Sequence, residues 1–101
     1  MRIISGKFKG KSINFIKNLN TRPLKDLVRE NIFNILKHSK DININVEKAL
    51  ILDLYSGVGS FGIECLSRGA KKVIFLENYS EAIKVLEKKI KSLKNIKNFE
   101  I

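Results

Sequence analysis

Apolar residues along this chain gather into two unbroken runs and three periodic ones. The first run, Ala49-Leu50-Ile51-Leu52, leads without a polar break to Asp53. That pattern predicts a strand buried on both faces of a parallel sheet. The second run, Val73-Ile74-Phe75-Leu76, ends on Glu77. Between them Gly57, Gly59 and Gly62 precede Ile63, Cys65 and Leu66 at helical spacing, and Gly69 falls where a helix C-cap belongs. Strand, glycine turn, helix and strand in this order form the first unit of a nucleotide-binding α/β fold.

The flanking periodic stretches extend this frame in both directions. Pro23 suits a first helical position, and Arg22 before it is kept out of helical geometry. A helix to about His38 follows, with Leu24, Leu27, Val28, Ile32, Ile35 and Leu36 on one face. Asp26 and Glu30 lie in its early turns, and Lys37 and His38 close it, as the helix dipole favours. Residues 39–48 read as a polar connection into the central strand. After Glu77, Ser80 is placed to cap a helix bearing Ile83, Leu86, Ile90 and Leu93. Phe99 and Ile101 look like the opening of a third strand. Residues 2–15 read as two short strands around a glycine-containing turn, and Ile16 to Thr21 as a linker. The chain thus divides into a basic hairpin with its linker, 1–21, and a helix plus the first half of an α/β domain, 22–101.

The glycines and acids define the candidate chemistry. Gly57 lets the backbone turn off the strand, Gly59 clears a path for a ligand, and Gly62 lets the helix pack closely. G-x-G-x-x-G spacing alone is a weak signal. Asp53 ahead of the turn and Glu77, twenty residues after Gly57, sharpen it. An acid at the Glu77 position can accept hydrogen bonds from both hydroxyls of a ribose. Each acid taken singly reads equally as a turn or strand-end residue. In register with the glycines they point to an adenosine-type ligand. Asp53 would repel a pyrophosphate but engage the ammonium of an amino acid, which favours S-adenosylmethionine over a dinucleotide.

Composition narrows the partner. The 101 residues carry 20 basic and 10 acidic side chains, a net charge of +10. Residues 1–48 hold 11 basic against 4 acidic, residues 49–101 only 9 against 6. Such an excess implies a polyanion, nucleic acid before membrane, met by the N-terminal half. A lysine-rich proteome accounts for part of it. Arg2, Lys7, Lys9 and Lys11 crowd the hairpin around Phe8, which suits phosphate contacts and base stacking; Phe8 reads equally as a packing residue. Cys65, the single cysteine, excludes a disulfide framework and reads as a buried thiol, in keeping with a reducing cytoplasm. No stretch reaches the apolar length of a membrane span, no signal-peptide pattern opens the chain, and no metal cluster is apparent.

Three blocks then resemble the bacterial 16S ribosomal RNA (guanine-N2)-methyltransferases. They are Arg2-Ile3-Ile4-Ser5-Gly6 with Gly10; Thr21-Arg22-Pro23, Asp26 and Val28-Arg29-Glu30 with Phe33-Asn34; and Leu52 to Gly59 running through Leu66-Ser67-Arg68-Gly69-Ala70 to Glu77. Leu24 stands where that family usually has threonine, and Leu27 where arginine is frequent. The resemblance implies the N-terminal part of a Rossmann-like, S-adenosylmethionine-dependent methyltransferase. Its cofactor would contact Asp53, Tyr55, Ser56, Gly57, Gly59, Glu77 and Asn78. RNA would be met by Arg2, Lys7, Lys9, Lys11, Arg22 and Arg29. The partner would be ribosomal RNA or an assembling small ribosomal subunit. The family's catalytic Asp/Asn-Pro-Pro-aromatic sequence has no counterpart, because Pro23 is the only proline. The chain is therefore expected to be inactive by itself, with a separately encoded C-terminal half as one source of the acceptor site. A dinucleotide-binding fragment and a non-catalytic RNA-binding remnant are the competing readings.

Overall fold

A computed structural model describes residues 2–13, 26–42, 44–93 and 96–101. In chain order they form α1 (Asp26–His38), β1 (Leu50–Leu54), α2 (Ser60–Ser67), β2 (Lys72–Leu76), α3 (Ser80–Ser92) and β3 (Phe99–Glu100). Thr21, Arg22, Pro23 and Leu24, with the predicted linker, lie outside the described residues.

The three strands make a parallel sheet in the order β1-β2-β3. Leu50 pairs with Lys72 through to Leu54 with Leu76, and Val73 with Phe99. Strands that advance in one direction through right-handed crossovers place both connecting helices on the same face. Ile63, Cys65 and Leu66 of α2 and Ala82, Leu86 and Ile90 of α3 accordingly bury against Val73 and Phe75. The expectation that β1 is buried on both faces is therefore corrected. Only Ile51 and Asp53 turn toward the helices, while Leu50, Leu52 and Leu54 are exposed, Leu50 to 68%. Register puts Ile74 and Leu76 on that same open face. Both α2 and α3 end and begin much as predicted. Gly69, at φ 96°, follows α2, with Ala70 N–H donating to Cys65 O and Gly69 N–H to Leu66 O, a glycine-terminated helix end. Ser80 opens α3 without a side-chain cap.

Two further expectations are corrected. The buried face of α1 carries Arg29 and Phe33, whereas Leu27, Val28 and Ile35 are exposed. Phe33 sets this orientation: its ring stacks on Phe61 at 5.1 Å and lies under the Arg68 guanidinium at 4.2 Å. Residue 29, one turn earlier, is then carried inward. The predicted hairpin, meanwhile, is a loop closed by one antiparallel bridge, Arg2 to Ser12, in place of two strands. Four of its donors are spent on α2. Ile4 and Ser5 N–H donate to the Glu64 carboxylate at 2.8 and 3.0 Å, Phe8 N–H to Ser67 Oγ, and Lys7 N–H to Ser67 O. Ile3, Phe8 and Ile13 fill the core beneath.

Glu64 is the centre of this attachment. It is fully buried and also receives Arg68 Nε at 2.9 Å, with Arg29 Nε 3.4 Å away in an ionic contact that lacks hydrogen-bond alignment. Arg29 Nη2 in turn donates to the Arg2 carbonyl and to Asp26 Oδ1. Breaking one partner of a buried ionic network strands the others without solvent. Glu64→Ala is expected to destabilise the chain by about 3–5 kcal/mol. Glu64→Gln, which still accepts from the loop, should cost distinctly less. Denaturant titration of both checks this, and equal midpoints for Glu64→Ala and wild type would remove the network from the fold's stability.

Candidate functional site

The carboxyl ends of β1 and β2 bring Asp53, the glycine turn and Glu77 together as the sequence anticipates. Asp53, 8% exposed, accepts the Gly62 N–H on Oδ2 at 3.1 Å. Burial pushes its carboxyl up to about 6; the Gly62 hydrogen bond opposes the rise, and the charge of Glu77 adds to it. Gly62 is required by packing. A Cβ there would stand 2.2 Å from the Phe75 ring and 3.0 Å from Asp53 Oδ2.

Glu77 is the strut of the turn. Its Oε1 accepts the Gly57 N–H at 2.8 Å, and Oε2 accepts the N–H groups of Asn78 and Tyr79 at 3.1 and 2.9 Å. Ser56 ties the same turn to β2, its N–H and Oγ–H both donating to Leu76 O. Gly57 takes φ 59° and faces open space, whereas the space beside Gly59 is filled by Leu86 of α3. The clearance expected at Gly59 is thus found at Gly57. Tyr55 holds a left-handed φ of 55°, unusual for a side chain of its size, and is 92% exposed. Asn78 is exposed beside it in sequence order after Glu77.

The basic candidates are distributed differently. Arg2, Lys7, Lys9 and Lys11 are exposed, with Lys7 Nζ 5.2 Å from the Phe8 ring centre. Phe8 itself is in the core, so it offers no face to a base. Arg29 is 0% exposed and committed to Glu64, Asp26 and the Arg2 carbonyl; its expected RNA contact is corrected to a structural role. Arg22 lies outside the described residues. The hairpin tip bonds to Ser67, the last residue of α2, while the glycine turn stands at its first. Eight residues of helix, about 12 Å, separate the two candidate sites.

Glu64 is the buried structural residue that sequence reading missed. Its signal was available: one acid inside the apolar run Ile63 to Leu66, with Arg68 four residues on. Cys65, beside it, is buried as expected, and burial together with Asp53 and Glu64 pushes its thiol up to about 12, beyond nucleophilic use. Among the described residues no three His, Cys, Asp or Glu side chains are placed to hold a metal, and no helix is long and apolar enough to cross a membrane.

Known proteins share this architecture. The chain is 36% identical over 94 residues to ribosomal RNA small subunit methyltransferase D of Haemophilus influenzae, covering 93% of this chain and 46% of that protein. The protein of the same name from Escherichia coli K12 is 32% identical over 94 residues, covering 93% and 44%. Among solved structures, the Escherichia coli methyltransferase candidate yhhF superposes with a TM-score of 0.80 at 29% identity, over 99% of this chain and 49% of that one. The Thermus protein TTHA0928 shares the fold at a TM-score of 0.71 and 24% identity, over 90% and 48%. The chain spans about half the length of the relatives it matches, and its sheet and helices are the first part of their Rossmann-like methyltransferase fold. The family model of Conserved hypothetical protein 95 matches residues 1–101 throughout, and the chain belongs to that family.

Proposed function

We propose that this chain is the S-adenosylmethionine-binding part of an enzyme that methylates N2 of a guanine in small-subunit ribosomal RNA. The observation that carries the reading is the pairing of Asp53 and Glu77 across the open turn at Gly57. Two carboxylates suit a ligand with an ammonium and a ribose diol, and the one at Asp53 opposes the pyrophosphate of a dinucleotide. The names of the curated relatives support ribosomal RNA as the substrate.

The donor, when bound, supplies a methyl group made electrophilic by its sulfonium. This chain's residues bind and orient it. Glu77 accepts three N–H groups and keeps about one acceptor site for a ribose hydroxyl, a second hydroxyl having to displace one of those N–H bonds. Asp53, ionised above about pH 6, faces the ammonium. Gly57 offers bare main chain, and Tyr55, Ser56, Gly59 and Asn78 complete the wall. Arg2, Lys7, Lys9 and Lys11, with Arg22, supply phosphate contacts. With Pro23 as the only proline, this chain carries no Pro-Pro sequence to hold the acceptor amine. A ribosomal RNA substrate implies the cytoplasm as the place of action.

Calorimetry with S-adenosylhomocysteine should show binding that Glu77→Ala weakens at least about tenfold, the worth of roughly one charged hydrogen bond. Equal affinity in the variant would remove the ribose role, and preference for NAD would overturn the reading.

Binding should also fall with acid. Between pH 7 and pH 5 the Asp53 carboxylate takes up its proton while the ligand's ammonium stays charged, so affinity drops roughly tenfold. Asp53→Asn removes that dependence. Stability moves oppositely. The folded value of about 6 exceeds the ordinary 3.8, so the contribution is fully present below about pH 4 and is lost as pH rises through about 6. Asp53→Asn is therefore expected to stabilise the fold at pH 7, by about 1–3 kcal/mol. Thermal unfolding against pH checks the sign.

Purified monomeric residues 1–101 should incorporate no methyl groups into ribosomal RNA or immature small subunits. Clear turnover would mean that residues within this chain hold the acceptor amine.

A further inference from the structure

The end of the domain opposite the glycine turn collects further cations beside Lys7 and Lys9 of the hairpin. Lys7 N–H donates to Ser67 O, Lys48 N–H to Gly69 O, and Lys71 N–H to Ala49 O. These bonds fix the start of β1, the start of β2, the end of α2 and the loop tip at one pole. The side chains of Lys7, Lys9, Lys48 and Lys71 are all exposed there. Lys48 is held at φ 65°, outward on its turn. Beside them a cavity of about 210 Å³ is lined by Ser5, Gly6, Phe33, Lys37, Glu47 and Arg68, among others. Arg68 spends Nε on Glu64 and is braced over the Phe33 ring, so its remaining nitrogens are presented by a rigid side chain. The acids nearby are few. Glu47 lines the cavity, and Glu100 is taken by Lys72 at 3.3 Å.

We propose that this pole is a second RNA-backbone contact, extending the hairpin's cationic surface across Lys37, Arg68, Lys48 and Lys71. It rests on the reading of the chain as part of an RNA methyltransferase. Cations carried by four separate elements match successive phosphates of a folded strand. A membrane surface fits less well, because Phe8 and Phe33 are buried and Ile44 is the exposed apolar side chain at the cavity. The start of β1, where the pole lies, is three residues or about 10 Å along the strand from Asp53. An RNA that touches both ends therefore extends beyond its target nucleotide.

The test compares three triple variants of the 101-residue chain in binding to a structured small-subunit ribosomal RNA fragment as salt is varied. They are Lys7/Lys9/Lys11→Ala on the hairpin, Lys37/Lys48/Lys71→Ala at the pole, and Lys84/Lys88/Lys89→Ala on α3 as a control of equal charge. Removing one lysine–phosphate interaction lowers the log–log slope by about 0.7–0.9. The hairpin and pole variants should each fall by about three such increments, the α3 control by none, and S-adenosylhomocysteine affinity should be unchanged in all three. A pole variant that keeps the wild-type slope overturns the second contact and leaves the cofactor reading standing. So does an α3 control that falls as far, since the effect is then net charge alone. Loss of binding to anionic phosphatidylserine vesicles with the RNA slope intact would assign the pole to a membrane. Wild-type chain that binds no RNA overturns this surface together with the RNA-methyltransferase reading, even where calorimetry still shows the cofactor.

Discussion

One fully buried carboxylate holds the N-terminal half of this protein to its α/β half. Glu64 lies on the short helix between the first two strands, and it takes hydrogen bonds from Ile4, Ser5 and Arg68 with Arg29 in ionic range. Burying such a group is tolerable only because nearly every lone pair is answered. Its neighbours inherit their positions from that requirement. The loop cannot form a regular two-stranded ribbon while its donors face α2, and α1 must turn Arg29 inward to balance the charge. The glycine turn is reached from the same helix, two residues earlier, where Gly62 lets the backbone meet Phe75 and Asp53.

What could be read in advance was whatever depends on local chemistry. The run into Asp53, the run into Glu77 and the three glycines fix strand, turn and strand without reference to anything distant, and the pairing of Gly57 with Glu77 follows. Elements whose orientation depends on partners were less legible. Helix α1 offers Leu27, Val28 and Ile35 as a plausible core stripe, yet the aromatic Phe33 and the charge on Arg29 outweigh them because Phe61, Arg68 and Glu64 are waiting. Arg29 looked like a surface base because nothing in its neighbourhood of sequence announces an acid 35 residues later. Gly59 shows the same limit on a smaller scale, since the side chain that needs its space comes from α3.

The candidate site and the basic surface stand at opposite ends of α2, which gives the helix two separate duties. Its first turn meets Asp53 of β1, whose carboxyl accepts the Gly62 N–H and is pushed up by burial. Its last turn is shaped by the hairpin, through Ser67, which accepts the Phe8 N–H and donates to the Ser5 carbonyl. A short, largely buried helix suits this arrangement. It has little freedom to bend, so what binds at one end meets a fixed geometry at the other.

The open stripe of Leu50, Leu52, Leu54, Ile74 and Leu76 makes the chain's behaviour in solution a colloidal question. Two copies meeting through that face would bury apolar area, yet each brings a charge of +10. In dilute buffer, where the Debye length is about 30 Å at 0.01 M, the charges repel before the faces touch. At physiological ionic strength the range shrinks to about 8 Å, less than the radius of gyration of 12.9 Å. Added salt then loosens the chain from a polyanion and, by the same screening, brings its own copies together.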